Sequence, residues 1–250
     1  MGASRVRVII LGATSAIAEA TARLYAKERA DLLLVGRRHD RLETIAADLA
    51  IRGAARASIA VRDLADPAEV AADFDRFVTQ LGGVDHVILA YGILGDQGRA
   101  ERDPVEAEAI LRNNFSSAAA WMLAAADVLE RRGQGSLVVL GSVAGDRGRR
   151  ANFIYGAAKA GLATLAEGLA HRFAGRPIRV VVVKPGPTVT PMTEDFDRKG
   201  PLWATPERVA AAVRRAADRG GPVVYAPRRW WAIMMIIRHL PTFVFNRMNI

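Results

Sequence analysis

Short aliphatic runs recur along the whole chain and alternate with longer segments of helical periodicity. Runs that are apolar on both faces are typical of parallel strands covered by helices. Seven such runs lie at residues 6–11, 32–35, 57–61, 86–89, 137–140, 180–183 and 223–225. Helices are predicted between them, including 16–28, 41–51, 67–81 and 104–131. The alternation predicts an α/β fold with a doubly wound parallel sheet.

The length and composition favour a single domain. The 250 residues are 51% hydrophobic, enough for one well-buried core, and no Pro/Ser-rich or charge-run linker divides them. We predict a Rossmann-fold domain over residues 1–228. An apolar and basic C-terminal extension of the same domain is predicted over 229–250.

Charge and residue usage limit the classes of partner. The formal net charge is +9, but the basic residues are scattered and carry no interleaved aromatic stripe, so nucleic-acid binding is not expected. There are no cysteines, and the four histidines lack ligand-like spacing, so no metal site is predicted. The N-terminus runs directly into the first strand, which favours a cytoplasmic protein without a secretion signal.

A glycine-opened turn, GATSAIA, follows the first predicted strand. A helix that begins at such a turn presents free amides to a pyrophosphate. A plain βα turn capped by Thr14 or Ser15 is the alternative. A dinucleotide fingerprint would place glycines near Ala16 and Ala18, and a methyl group at Ala16 is expected to shift the cofactor slightly. The predicted contacts are Gly12, Thr14, Ser15, Ala16 and Ile17.

Two later segments bear on the choice of cofactor. Arg37 and Arg38 follow the second strand, where an enzyme specific for NAD would carry an acidic residue, so NADP(H) is favoured over NAD(H). Asp63 and Leu64 follow the third strand and suit the adenine ring through a carboxylate and a backbone amide. A helix-capping aspartate explains Asp63 equally well.

Tyr155 and Lys159 form the most informative pair, with Ser142 thirteen residues upstream. Residues spaced i and i+4 share a helix face, so the ammonium lies beside the phenol and favours its charged form. A phenol shifted in this way is a proton donor near neutral pH. A surface tyrosine and lysine on an amphipathic helix is the alternative for the pair alone.

These features in this order resemble the short-chain dehydrogenase/reductase family over nearly the full length. The resemblance implies that Tyr155 protonates a carbonyl oxygen, that Lys159 lowers the phenol pKa and holds the nicotinamide ribose, and that Ser142 binds the substrate oxygen. It assigns Asn114 to a water-linked proton relay, and the neighbouring Asn113 is the alternative residue for that position. It also implies cofactor contacts at Ala90, Gly92, Pro185, Gly186, Thr188 and Thr190.

One departure from the family lies after the fourth strand. The usual NNAG is replaced by Leu89-Ala90-Tyr91-Gly92, which puts a bulky ring near the cofactor. Residues 91–96, 144–153 and 234–241 resemble, more narrowly, the reductases that act on a decaprenylphosphoryl 2-keto-pentose, whose partner is a flavin oxidase. Glutamate and glycine would be expected in those reductases where this chain has Ala16 and Ala18. Tyr91, Arg147, Arg149 and Arg150 are the predicted substrate residues, a solvated basic loop being the alternative for the arginines.

The C-terminal extension carries an apolar run at residues 230–237, flanked by Arg228, Arg229 and Arg238. It is shorter than the roughly 20 residues that span a bilayer, and its aromatic and basic flanks suit a helix in the membrane interface. Peripheral contact with the inner face of the membrane is one interpretation. A cover over the substrate pocket, or a subunit interface in a homo-oligomer, is the other.

The leading hypothesis is an NADPH-dependent reductase of a ketone, in particular the 2-keto group of a polyprenyl-phosphoryl pentose. A general carbonyl or ketoacyl-lipid reductase would share every catalytic residue. A dinucleotide-binding sensor or a membrane-surface protein is the alternative of another class, since a fold does not fix a function. Such a protein would not need Ser142, Tyr155 and Lys159 together.

Overall fold

The computed structural model describes residues 5–194, 196 and 200–248, and the predicted domain boundaries at 1–4 and 249–250 lie outside them. Within that part of the chain, seven strands form one parallel sheet in the order β3-β2-β1-β4-β5-β6-β7. The order reverses between β1 and β4, which makes the sheet doubly wound. The strands are β1 Arg7–Leu11, β2 Asp31–Gly36, β3 Arg56–Val61, β4 His86–Leu89, β5 Gly135–Leu140, β6 Ile178–Pro185 and β7 Val223–Ala226.

Helices connect the strands and cover both faces of the sheet. None of the helices in the described ranges combines the length and the apolar character needed to cross a membrane. Their bounds are α1 Ala16–Lys27, α2 His39–Ile51, α3 Val70–Leu81, α4 Gln97–Ala100, α5 Pro104–Leu111, α6 Ser117–Arg132, α7 Phe153–Arg172, α8 Pro206–Arg219, α9 Arg229–His239 and α10 Thr242–Phe245.

The core consists of two apolar layers, one on each face of the sheet. Helices α1, α2 and α8 bury residues such as Tyr25, Leu42 and Val213 against one face. Helices α3, α6 and α7 bury residues such as Phe74 and Trp121 against the other. Alternate residues of each strand point to opposite layers, which explains why the strands are apolar throughout.

Trp121 connects this core to the loop that follows β3, at the edge of the sheet where the strands end. Its side chain is fully buried and its ring stacks on Phe77 with centroids 5.9 Å apart. The indole nitrogen donates to the carbonyl of Leu64 at 3.0 Å. A buried indole N–H requires an acceptor, so this bond fixes the loop after β3.

The predicted fold is confirmed, with two differences in the helices. The segment predicted as a helix over 67–81 becomes helical only at Val70, after Glu69 adopts a left-handed conformation with φ 52°. The segment predicted as one helix over 104–131 is interrupted by a π-helical turn at Arg112–Ser116. Such turns are frequent at functional sites, and this one carries Asn114, whose side-chain amide bonds to the backbone of Ile93 and Ile110.

Candidate active site

A cleft with a volume of about 450 Å³ opens at the carboxyl ends of the strands. Ligands of open parallel sheets bind at this edge, where the strand order reverses. Of the residues predicted as site residues, Arg38, Arg147 and Arg150 do not line it. Those that do are Gly12, Thr14, Ser15, Ala16, Ile17, Arg37, Asp63, Leu64, Ala90, Tyr91, Gly92, Asn114, Ser142, Arg149, Tyr155, Lys159, Pro185, Gly186, Thr188 and Thr190.

The turn between β1 and α1 forms one end of the cleft. Gly12 has φ 85°, and a Cβ built on it would lie 2.6 Å from the Cβ of Tyr91, so only glycine fits here. Ser15 is the N-cap residue of α1, but its side chain makes no capping hydrogen bond. The first-turn amides of α1 are therefore not satisfied by the cap, as an anion-binding helix terminus requires.

The residues after β2 and β3 line the same end. Arg37 lies in the cleft wall, whereas Arg38 is the N-cap residue of α2 and lies outside the wall. The Asp63 carboxylate accepts from the amide of Ala65 at 3.0 Å, so it also holds its own turn. Only one of the two adjacent arginines, Arg37, therefore lines this end of the cleft.

Tyr91 departs from the family pattern and lies in the cleft wall. Its hydroxyl lies 3.0 Å from the Ser117 Oγ and donates to the Leu64 carbonyl at 3.3 Å. Burial holds the pKa of this phenol above its ordinary value. Tyr91 thus stabilises the loop after β3, and its hydroxyl is hydrogen-bonded within the protein.

Tyr155 and Lys159 lie on the first turns of α7 and are both nearly buried. The Lys159 Nζ donates to the carbonyl of Leu140 at 3.0 Å and lies 5.8 Å from the centroid of the Tyr155 ring. Ser142, just beyond the end of β5, accepts from the amide of Ala144 at 3.1 Å. The three side chains therefore meet in one part of the cleft.

Asn114 is fully buried behind Lys159. Its Nδ2 donates to the carbonyls of Ile93 at 2.7 Å and Ile110 at 2.8 Å, and its Oδ1 accepts from the amide of Ile93 at 3.2 Å. A Cβ on Gly92 would collide with this amide and lie 3.4 Å from the Lys159 Nζ. The Nδ2 of Asn113 donates to the Ala109 carbonyl of the preceding helix, so of the two asparagines Asn114 is the one that adjoins Gly92 and Lys159.

The loop after β6 closes the other side of the cleft and rests on the C-terminal helix. A Cβ on Gly186 would overlap the Trp230 indole, whose Nε1 donates to the Leu202 carbonyl at 3.4 Å. The Thr188 hydroxyl donates to the Gly186 carbonyl at 2.9 Å. Trp230 thus supports this loop, a role that the sequence did not predict, since the apolar run around Trp230 indicates only burial.

The loop 146–152 was predicted to offer three arginines to the substrate, and the structure corrects two of them. Arg147 donates to the carbonyls of Ile237 and Leu240 and covers the Phe245 ring, with 3.8 Å from its Cζ to the centroid. Arg150 donates to the Asn246 carbonyl at 3.0 Å. Leu240 and Asn246 are the C-cap residues of α9 and α10, where carbonyls lack partners within the helix, so their carbonyls accept from these side chains. Arg149 alone faces the cleft.

The sequence comparison agrees with this geometry. Residues 6–200 match the family model described as short chain dehydrogenase. The chain belongs to the short-chain dehydrogenase family. It is an oxidoreductase of this family, whose members act on CH–OH and C=O groups with a nicotinamide cofactor.

Two curated relatives and one solved structure illustrate the similarity. An uncharacterized oxidoreductase of Mycobacterium tuberculosis is 39% identical over 241 residues, covering 96% of each chain. An uncharacterized oxidoreductase of Streptomyces coelicolor is 39% identical over 242 residues, covering 96% of this chain and 95% of the relative. The actinorhodin polyketide ketoreductase with NADPH superposes with a TM-score of 0.79 at 21% identity, covering 88% of this chain and 95% of that one. This last similarity shows the fold.

Burial shifts the pKa values of Tyr155 and Lys159 and thereby sets their protonation states. It raises the pKa of Tyr155 to about 12, against a smaller lowering by the Ser142 hydroxyl, and lowers the pKa of Lys159 to about 8. The first shift is opposite to the one predicted from the i, i+4 spacing, because desolvation of the phenol dominates its pKa. At neutral pH the phenol is protonated and Lys159 is mostly charged.

We predict that replacing Lys159 with Met changes how stability depends on pH. Between pH 8 and 10.5 the unfolded chain binds more protons at Lys159 than the folded one, so wild-type stability rises with pH there. The free energy of unfolding of Lys159→Met relative to wild type should therefore fall by about 3 kcal/mol over this range, from 1.36 kcal/mol per pKa unit. Urea unfolding at pH 7, 9 and 10.5 measures it. A difference that is constant with pH would contradict the lowered pKa.

Proposed function

We propose that the protein is an NADPH-dependent reductase that transfers hydride to a ketone. The observation that carries the proposal is the convergence of Ser142, Tyr155, Lys159 and Asn114 in one cleft with the dinucleotide turn. The protonated Tyr155 phenol donates its proton to the developing alkoxide, while the Ser142 hydroxyl hydrogen-bonds to the same oxygen. Lys159 donates to the Leu140 carbonyl beside the phenol ring and in this proposal positions Tyr155.

The cleft fits a nicotinamide dinucleotide. Gly12 lets the turn pack closely on Tyr91 in the cleft wall, and the uncapped start of α1 offers amides to a pyrophosphate. When bound, the cofactor supplies the hydride. The residues that would hold it are Gly12, Thr14, Ser15, Ala16, Ile17, Arg37, Asp63, Leu64, Ala90, Gly92, Tyr155, Lys159, Pro185, Gly186, Thr188 and Thr190.

The preference for NADPH rests on Arg37. Its guanidinium is suited to the 2′-phosphate that distinguishes NADPH from NADH. Arg38, its neighbour, lies outside the cleft wall. We therefore assign the preference to Arg37 alone, although the sequence motif contains both.

The two arginines give a matched pair of variants. Arg37→Ala should weaken NADPH binding about 10-fold or more, because the 2′-phosphate loses a charge-assisted hydrogen bond. NADH binding should change less than twofold. Arg38→Ala is the control and should leave both affinities within twofold of wild type, as measured by quenching of protein fluorescence. Equal losses in the two variants would refute the assignment.

Tyr155→Phe tests the reductase proposal itself. Removing the hydroxyl should lower kcat for ketone reduction by about 10³-fold, within the range of general acid catalysis. NADPH affinity should stay within twofold of wild type, because the ring remains in place. A variant that keeps full turnover would exclude Tyr155 as the proton donor, and a wild-type protein that binds NADPH yet reduces no ketone would favour a dinucleotide sensor.

As the substrate we propose a polyprenyl-phosphoryl 2-keto-pentose. The support is the resemblance of three sequence stretches to reductases of such lipids, together with apolar residues that line the cleft beside the catalytic group, namely Ile93, Leu94, Met192, Phe196 and Trp203. The keto group of such a sugar arises by oxidation of an alcohol, so a flavin oxidase is the partner that would supply it. A ketoacyl-lipid or general carbonyl reductase is the second candidate, since the same apolar lining accepts an acyl chain.

The C-terminal segment supports a peripheral membrane contact. Helix α9 buries Trp230 and Met234 against the domain, yet its solvent-exposed side presents Trp231 at 57% and Ile236 at 66% exposure. Residues 226–250 contain four arginines and no Asp or Glu. An apolar face beside uncompensated positive charge suits an anionic lipid surface. The same face suits the subunit interface of a homo-oligomer, which is the competing occupant.

Binding to lipid vesicles distinguishes a membrane contact from a subunit interface. Wild-type protein should sediment with vesicles containing phosphatidylglycerol and less with phosphatidylcholine alone, and the double variant Trp231→Ser/Ile236→Ser should lose most of this binding. Leu123→Ser is the control, because Leu123 is 50% exposed on α6. If the double variant instead changes the mass measured by light scattering and leaves vesicle binding intact, the face is a subunit interface.

A further inference from the structure

Trp230 lies one layer behind the wall of the catalytic cleft. It is buried and does not itself line the cleft, yet it contacts the loop that follows β6. A Cβ on Gly186 would overlap the indole, so the ring lies directly against the backbone of this residue. The indole nitrogen also donates to the carbonyl of Leu202, the residue before Trp203. Because Gly186 and Trp203 both line the cleft, one side chain of α9 supports two segments of its wall.

These two segments are also bonded to each other. The amide of Val189 donates to the Ala204 carbonyl, and the amide of Ala204 donates to the Pro187 carbonyl, both at 2.9 Å. The loop after β6 and the segment before α8 therefore form one unit. Trp230 supports this unit from the side that faces away from the cleft.

The start of the same loop is fixed by a buried ion pair. Lys184, the penultimate residue of β6, donates to the Asp146 carboxylate at 2.8 Å, and the Tyr225 hydroxyl donates to that carboxylate at 2.7 Å. Asp146 belongs to the turn that begins at Ser142. The end of β6 is thereby connected to the turn that carries Ser142. Beyond this strand the chain leaves the sheet, and there the indole of Trp230 supports it.

The loop that Trp230 supports lies beside the reacting groups. Strands β5 and β6 are neighbours in the sheet, so the loop after β6 adjoins the turn that carries Ser142. Val143, the next residue, belongs to the same buried apolar cluster as Trp230. A ketone whose oxygen is bound by Ser142 and Tyr155 must receive hydride at the carbon next to that oxygen. The nicotinamide of a bound dinucleotide must therefore lie at this end of the cleft.

We propose that Trp230 is a positioning residue that sets the loop after β6 against the nicotinamide end of the bound dinucleotide. This rests on the proposed reductase function, which requires the hydride donor at that end. The indole acts through its shape, because it fills the space that a side chain at Gly186 would occupy. A displacement of about 1 Å at such a site can lower a rate about 100-fold. The turn at Gly12 and the Arg37 guanidinium line the other end of the cleft and should not depend on Trp230.

Two ligands separate the nicotinamide end from the rest of the cleft. NADP⁺ carries the nicotinamide, whereas 2′-phospho-ADP-ribose lacks it and keeps the pyrophosphate and the 2′-phosphate. Trp230→Leu should weaken NADP⁺ binding about fivefold or more, the order of one lost hydrogen bond, and leave 2′-phospho-ADP-ribose binding within about twofold of wild type. Isothermal titration measures both. Phe173→Leu, which truncates a buried ring at the far end of α7, is the control for lost core packing and should change neither affinity more than about twofold.

Steric complementation tests the contact itself. Gly186→Ala introduces the methyl group that would overlap the indole, and the backbone there has no positive φ, so its effect on NADP⁺ binding is steric. In the double variant Gly186→Ala/Trp230→Leu the smaller side chain leaves room for that methyl group. Its loss of NADP⁺ affinity should therefore be smaller than the product of the two single losses. Trp230→Phe, which keeps an aromatic ring, should retain more NADP⁺ affinity than Trp230→Leu.

Three results would overturn the inference: wild-type NADP⁺ affinity in Trp230→Leu, equal losses for the two ligands, or a double variant whose loss equals the product of the single losses. If Trp230→Leu does not fold, the same comparison of the two ligands is made with Trp230→Phe and Gly186→Ala. NADP⁺ binding that depends on Trp230, in a protein that reduces no ketone, would refute the proposed function and retain the inference. Ketone reduction by a Trp230 variant with unchanged NADP⁺ affinity would do the reverse.

Discussion

The buried ammonium of Lys159 is the group on which the geometry of the cleft depends. It reaches the carbonyl of Leu140 because α7 packs very closely on the turn after β5. A Cβ on Gly145 would lie 2.8 Å from the backbone of Lys159, and one on Gly156 would lie 2.8 Å from the Ala144 carbonyl. Two glycines therefore allow the approach that brings β5, Ser142 and α7 together.

This close packing also explains the electrostatics of the site. The approach that positions Lys159 removes it and Tyr155 from water, which lowers the pKa of the amine and raises that of the phenol. The phenol is thereby kept as a proton donor. Two arginines also line the cleft, Arg37 after β2 and Arg149 in the loop before α7. The cleft is thus arranged for a negatively charged cofactor and, in our proposal, for a phosphorylated ketone.

The sequence predicted those features that depend on local pattern. The aliphatic runs identify the strands because a sheet covered on both faces requires apolar residues throughout. The turn at Gly12 and the Tyr155–Lys159 spacing are equally local. Arg147 could not be placed in this way, because its partners are the carbonyls of Ile237 and Leu240, some 90 residues away in sequence. The same holds for the contact of Trp230 with Gly186.

The π-helical turn at Asn114 is a feature that the sequence pattern did not predict. Residues 104–131 have good helical periodicity, and nothing in that pattern indicates an interruption. The turn is associated with bonds between Asn114 and the Ile93 loop, a tertiary contact that local propensity does not contain. It brings a buried amide next to Lys159. Local pattern therefore predicted the helix but not the turn that places Asn114.

Transfer of deuterium from NADPH to a ketone tests the central claim most directly. Wild-type protein would be incubated with NADPH deuterated at the transferable position of C4 and with phosphorylated 2-keto-pentoses, and the alcohol products analysed by mass spectrometry and NMR. The account predicts one deuterium on the former carbonyl carbon. Products without deuterium at that carbon, or binding of NADPH with no ketone reduced, would contradict it.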